Sequence, residues 1–281
     1  MDANEIAKRR AVAEEAARAG GAVHHRYRGQ QVARDVKGDR TDYATKVDYE
    51  SQAAARDVIL RHFPGEAVVG EEDAPATAAE LSQQMQTGVW LIDPLDGTLE
   101  FVHNGALYSC VVSYVVEGAP VTGVCYFEAH DEMFSAAVGQ GATYNGAPMH
   151  TNGTTELADA VVATVYRGTE VARAQMFTGR LATLLPKVEG ARITGSPSAG
   201  ACGVAAGWHD VYAYLSFTGN ETVRPDGKPR GQPWETAAFV VIVGEAGGAM
   251  AALGGGPADL LGINLYASSE MLLHAFEALL A

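Results

Sequence analysis

The chain has 281 residues, 47% of them hydrophobic, and carries 34 acidic against 20 basic side chains, a net charge of −14. That is enough apolar material for a large core, and a surface so acidic excludes a nucleic-acid binder, which needs a basic face. The three cysteines, Cys110, Cys125 and Cys202, lie far apart in apolar stretches without a CxxC, the pattern of buried reduced thiols in a cytoplasmic protein.

In chain order, the N-terminal stretch lacks the apolar centre of a signal peptide and reads as an exposed amphipathic helix over 4–28, with Ile6, Val12, Ala16 and Val23 on one stripe. No run approaches the ~20 apolar residues of a membrane span, so a cytoplasmic location and no membrane partner are expected. A charged loop, VKGDRTDYATKVD, leads to a helix from Asp48, placed as its N-cap, to about His62. AVVG is a short strand running into Glu71-Glu72-Asp73, and residues 74–87 read as surface helix. VWLID is a buried strand that stops at Pro94. SCVVSYVVEGAPVTGVCYF reads as a hairpin turning at Glu-Gly-Ala-Pro, and EMFSAAVGQGATYNGAPM as short strands with glycine turns.

Beyond about residue 155 the pattern alternates. ADAVVATVY is a strand, EVARAQMFTGRLATLLPKV a helix, and residues 191–215 a strand, turn, helix and strand. A helix from Pro233 to about Ala246, a strand INLYAS and a helix SEMLLHAFEALL follow. No repeat or linker divides the chain. The expected fold is α/β, of layered α+β type, in one unit over 1–281 with sub-layers of roughly 1–155 and 156–281.

Three acidic clusters carry candidate chemistry: Glu71-Glu72-Asp73, Asp93-Pro94-Leu95-Asp96-Gly97-Thr98, and Glu235 after Trp234. In the middle cluster a buried strand delivers Asp93, and Gly97 permits a tight turn into a short helix at 98–102. Two carboxylates three residues apart on such a turn converge and repel unless a proton or cation intervenes. Mg²⁺, which prefers oxygen ligands, resolves that conflict, and the free amides opening the next helix suit an anion. Spacing alone leaves equally open a turn in which both aspartates merely cap backbone donors. An EF-hand is excluded, because Leu95 and Thr98 fall where ligands belong. Two residues separate the aspartates, which also puts an Asp-x-Asp nucleophile pair out of register.

The set GEED, WLIDPLDGTLEF and WETAAFVVIVGEAGG, in this order and at these intervals, resembles the inositol monophosphatase superfamily over roughly residues 35–270. The resemblance implies the αβαβα sandwich of the inositol monophosphatase and fructose-1,6-bisphosphatase type. It also implies a homodimer and Mg²⁺-dependent hydrolysis of a phosphate monoester on a small metabolite, with two or three ions per site. Glu71, Asp93, Asp96, Glu235 and the Leu95 carbonyl resemble the metal ligands. Thr98, hydrogen-bonded near Glu71, resembles the group orienting the attacking water, and the amides of Gly97 and Thr98 resemble the phosphate cradle. Asp48 resembles a further catalytic acid that holds a weaker third ion through water.

The sequence departs from the family pattern in three places. Glu235 stands where the family usually has Asp, which admits a shifted second ion or, at the extreme, a weakened metal- or phosphometabolite-binding regulator. Glu100-Phe101 looks more like the 3′(2′),5′-bisphosphate nucleotidases, whereas the C-terminal half reads like inositol or histidinol phosphatases. The long segment 216–233 brings Arg224, Lys228 and Arg230 towards the expected mouth of the site, either as a solvated loop or as a substrate flap for a second anionic group. The turn at 195–200, with Ser198 and Gly200, resembles a substrate-contacting turn and reads equally as a helix start capped by Ser198.

Overall fold

The computed structural model describes residues 1–37, 41, 43–75, 77–217 and 222–280. Its helices are α1 Ala3–Tyr27, α2 Lys46–His62, α3 Ala78–Thr87, α4 Thr98–Val102, α5 Val171–Leu184, α6 Pro197–Ala205, α7 Pro233–Glu245 and α8 Glu270–Leu280. The strands are β1 Asp35–Val36, β2 Tyr43–Ala44, β3 Ala67–Gly70, β4 Val89–Asp96, β5 Ser109–Val116, β6 Ala119–Phe127, β7 Glu132–Ala137, β8 Ala142–Tyr144, β9 Ala147–Met149, β10 Val161–Thr164, β11 Gly190–Ile193, β12 Val211–Ala213, β13 Ala249–Ala252 and β14 Asn264–Ala267.

Strands β3 to β9 lie side by side in chain order in one seven-stranded sheet, antiparallel except for the parallel pair β3–β4. A second sheet has the order β11-β10-β12-β14-β13, with β10 parallel to both β11 and β12. Side-chain alternation along the strands covers both faces of each sheet. On β5, Cys110, Val112 and Tyr114 meet α1 and α2, while Val111 turns towards α6 and α7. On the second sheet, Tyr212 and Tyr266 face α6 and α7, and Val211, Ala213, Leu265 and Ala267 face α5 and α8. The layers therefore run helix, sheet, helix, sheet, helix, and α7 is buried on nearly all sides because it lies between the two sheets.

Several local expectations need correction. The first helix is not an exposed one: Val12, Ala13, Ala16, Ala17, Gly20 and Val23 are buried, small enough to let α1 lie close on α2 and the sheet. Asp48 is not the N-cap of α2. Thr45 is, its hydroxyl accepting the Val47 amide at 3.1 Å, while Asp48 in the first turn accepts the Thr45 amide at 2.8 Å. This reciprocal capping starts the helix three residues earlier than an Asp48 cap would. Residues 78–87 bury Ala78, Leu81 and Met85, so α3 is only partly a surface helix.

Strand β4 does not stop at Pro94 but continues to Asp96, with a register shift against β5 between Asp93 and Asp96. A proline has no N–H for the ladder and is tolerated at such an irregularity. The displaced Pro94 carbonyl is taken instead by His24 Nε2 at 2.7 Å and Ser51 Oγ at 2.8 Å, so α1 and α2 hold the acid-bearing turn from behind. The cysteines are free and buried, as expected.

Candidate active site

The β4 irregularity delivers Asp93 and Asp96 into the layer between the sheets, and the first turn of α7 brings Glu235 to them. One carboxylate oxygen from each of the three lies within 4.8 Å of the others, and all three residues are buried. Burial pushes the Asp93 carboxyl well above the usual carboxylate range, and the charges of Glu71, Glu235 and Asp96 push it further. Glu235 is raised well above its ordinary value by burial and then by Asp96 and Glu71. Asp96 is also raised by burial, against hydrogen bonds from Ser196 and Ser198 that favour its charged form. Three buried carboxylates that disfavour one another's charge form an oxygen donor set suited to a hard divalent cation.

Asp93 and Asp96 are each held by hydrogen bonds. Asp93 Oδ1 accepts the Leu95 amide at 3.0 Å. Asp96 Oδ2 accepts Ser196 Oγ at 2.6 Å, the Ser198 amide at 2.8 Å and the Ser198 hydroxyl. Those bonds load one oxygen and leave Oδ1 for another partner. Gly97 turns the chain with φ +82°, where a Cβ would stand 2.6 Å from the Leu107 carbonyl. Only glycine fits that left-handed, crowded position. Glu71 follows β3, half-buried, and its Oε1 pairs with Lys37 Nζ at 3.0 Å. Lys37 also reaches Glu72 at 2.7 Å.

A cavity of about 450 Å³ opens over this cluster, lined by Glu71, Asp93, Leu95, Asp96, Gly97, Thr98 and Glu235, the residues that the sequence places at the metal and phosphate positions. Other sequence-derived candidates sit elsewhere. Thr98 lines the cavity, but its hydroxyl donates to the Leu95 carbonyl at 3.0 Å and lies 3.5 Å from Asp48 Oδ1, with no hydrogen bond to Glu71 among the described residues. Asp48 is buried behind Thr98 and does not line the cavity. Burial raises its carboxyl to about 6, against the Thr45 bonds that favour the charged form.

The turn at 195–200 is not a substrate wall along its length. Gly195 and Pro197 line the cavity, but Ser198 is spent on Asp96 and Ser196 is the cap of α6. Gly200 packs on the Tyr212 ring, where a Cβ would lie 2.3 Å away. In the segment 216–233, residues 218–221 lie outside the described residues. Arg224 lines the cavity but is paired with Asp226 at 2.7 Å. Arg230 lines it as well, whereas Lys228 borders a smaller adjoining groove with Glu72 and Trp234.

Sequence reading missed Ser196 as a support of Asp96, His24 and Ser51 behind Pro94, and two cavity-lining cations, Arg167 and Arg173. The cations had a signal: they follow β10, and open sheets bind ligands beyond the carboxyl ends of parallel strands. The supports had none, since each joins elements distant in the chain.

A model of the inositol monophosphatase family matches residues 5–281. The chain belongs to the inositol monophosphatase family. It is 32% identical to inositol monophosphatase 2 of Solanum lycopersicum over 268 residues, 94% of this chain and 95% of that one. It is 34% identical to inositol monophosphatase 3 of the same plant, over 81% of each. The solved inositol monophosphatase from Anabaena superposes with a TM-score of 0.78 at 27% identity, covering 98% of this chain and 96% of that one. As a member of the inositol monophosphatase family, the protein is a Mg²⁺-dependent phosphoric monoester hydrolase acting on small phosphorylated metabolites. Its fold is the layered α/β sandwich of that family. Among the described residues no helix is long and apolar enough to cross a membrane.

Beside this acid cluster, Ser198 has a role that can be tested. Ser198→Ala removes one of the donors on Asp96 Oδ2 and leaves the other oxygen freer to rotate. Loss of such an outer support costs roughly 10- to 100-fold in metal affinity or activity. The expected result is a raised Mg²⁺ requirement in phosphate-release assays. An unchanged Mg²⁺ titration would remove Ser198 from the site's support.

Proposed function

We propose that Asp93, Asp96, Glu235 and Glu71, with the Leu95 carbonyl, hold two Mg²⁺ ions, and that the substrate phosphoryl group lies between them and the Gly97–Thr98 turn. The observation that carries this reading is the buried triad of carboxylates, mutually destabilised in their charged forms, at the floor of a cavity of small-metabolite size. Bound Mg²⁺ would make a water nucleophilic at neutral pH and neutralise charge on the phosphoryl oxygens. The chain's own part is positional. The first amides of α4, ahead of the Phe101 amide that donates to the Gly97 carbonyl at 3.0 Å, have no carbonyl acceptor in their own helix and are available to phosphoryl oxygens. Thr98 and Asp48 fix the Leu95 carbonyl, and Ser196 and Ser198 fix Asp96. Glu71, at the rim, is the residue suited to accept a proton from water, once Lys37 yields its place.

We read residues 1–281 as one phosphatase unit, because α6 and α7 complete the cores of both sheets. A cytoplasmic homodimer is the corresponding assembly. The relatives' names make inositol 1-phosphate the first substrate to try. The test is phosphate release from inositol 1-phosphate, histidinol phosphate, sugar phosphates and adenosine 3′,5′-bisphosphate, with Mg²⁺ and with EDTA. Turnover that needs Mg²⁺ is expected for at least one. Release equally fast in EDTA would overturn the metal assignment.

A further inference from the structure

The phosphoryl-handling groups come from β4 and α4, on the seven-stranded sheet. Another wall of the cavity is built from the segments after β10, β11 and β12, at the carboxyl ends of parallel strands, where α/β sheets commonly bind ligands. Arg167 and Arg173 belong to it. Arg167 makes no ion pair within 4 Å among the described residues, and its Nε is buried with no hydrogen-bond partner. A buried donor without an acceptor is costly, and the cost falls when a ligand supplies one.

Arg173 is pre-set beside it. Its Nη1 donates to the Arg167 carbonyl at 3.3 Å and its guanidinium lies over the Phe217 ring at 4.7 Å. Gly168, with φ +125°, leaves the space for this: a Cβ there would stand 3.1 Å from both Cδ and Nη1 of Arg173. Arg173 also occupies the first turn of α5, which holds no acid. Cations are disfavoured at that end of a helix, so the first turn adds to the positive field of the wall. The one acid on the same wall, Glu170, is exposed.

Arg167 could instead serve as a counter-charge to the acid cluster. It lies in the field of Asp96, Glu235, Glu71 and Asp93 but forms no ion pair within 4 Å with any of them among the described residues, and bound Mg²⁺ would satisfy the acids directly. We propose that Arg167 and Arg173 form a second anion subsite, so that the preferred substrate is a phosphate monoester bearing another anionic group, a carboxylate or a second phosphate. This rests on the phosphatase reading above and narrows its substrate class. It moves the second-anion role from Arg224 and Lys228, one paired with Asp226 and the other off the cavity, to residues of the β10–α5 segment.

Two arms test it on the full chain with Mg²⁺. Calorimetry compares phosphonocarboxylates of increasing length with alkylphosphonates of equal length, none of which can be hydrolysed. Kinetics compares fructose 1,6-bisphosphate with fructose 6-phosphate. The expected result is a preference of roughly tenfold or more for the doubly anionic member in at least one arm, and which arm responds tells carboxylate from phosphate. In Arg167→Gln and Arg173→Gln that preference should shrink by roughly 10- to 100-fold, through Kd and KM more than kcat, as for loss of a charge-assisted hydrogen bond. Equal affinity within every pair would overturn the subsite, and so would variants that weaken both members alike. If no phosphate ester is turned over, the phosphatase reading fails, while the binding arm still decides the subsite.

Discussion

Asp93→Asn is expected to lower kcat/KM by on the order of 10³-fold or more while leaving the protein folded. Ligation of the catalytic cation is worth several kcal/mol of charge stabilisation, and ~1.4 kcal/mol is tenfold in rate. The fold survives because the asparagine carbonyl oxygen can still accept the Leu95 amide that shapes the turn. The amide nitrogen then faces Asp96 and Glu235 as a donor, where wild type places a third carboxylate.

The same variant carries a stability signature independent of activity. Asp93 and Glu235 have carboxyls raised well above their ordinary values, first by burial and then by neighbouring charge, and burial raises Asp96. In the unfolded chain these groups ionise near pH ~4. Above that pH the metal-free native state holds protons that the unfolded state has released, so stability falls as pH rises. Stability from these carboxyls is therefore complete below pH ~4 and is lost as pH climbs through their native values. In EDTA, the Tm of wild type should drop between pH 5 and pH 8. Excess Mg²⁺ should restore it by binding the native state alone. In Asp93→Asn the EDTA slope should be shallower and the rescue by Mg²⁺ smaller. Thermal melts at both pH values, with and without Mg²⁺, give the answer. Parallel curves for wild type and variant would mean that Asp93 belongs to no coupled acid cluster.

The convergence of Asp93 and Asp96 was legible in the sequence, because a strand ending in Asp93-Pro94-Leu95-Asp96-Gly97 constrains its own geometry within a few bonds, whereas Glu235 joined them only through the family resemblance. Two sheet-bearing halves were legible too, from hairpin signals early in the chain and strand–helix alternation later, whereas the order of layers came only with the family resemblance. What failed to show was long-range. Nothing near Asp96 announces Ser196 and Ser198, a hundred positions on, as its hydrogen-bond donors. Strand β13 went unread because AMAA has weak β preference, and pairing with β14 makes it a strand. The turn at 195–200 carried a real signal of importance, and its serines donate hydrogen bonds to the Asp96 carboxylate. Asp48 was legible as an acid at a helix start. The capping box it shares with Thr45, and the burial that removes it from the cavity, depend on packing that spacing does not encode.

Glu235→Asp separates a working ligand from a vestigial one. Glu235 stands in the first turn of α7, after Pro233, in a helix buried on nearly all sides, so its backbone cannot advance to compensate for a shorter side chain. Aspartate would withdraw the carboxylate by about 1.5 Å, one carbon–carbon bond. Mg²⁺ accepts little departure from its preferred ligand distance. The charge is kept, so the repulsion within the triad and the folded structure should change little. The expected outcome is a 10- to 100-fold rise in the Mg²⁺ concentration needed for half-maximal activity, about the loss seen when a metal site's supports are disturbed. Saturating Mg²⁺ should recover most of kcat. Glu235→Gln, which removes the charge without shortening the side chain, should lose activity that Mg²⁺ does not restore. Were Glu235→Asp to match wild type across the Mg²⁺ titration, and Glu235→Gln with it, the carboxylate of α7 would hold no cation. The site would then rest on Asp93, Asp96 and Glu71 alone.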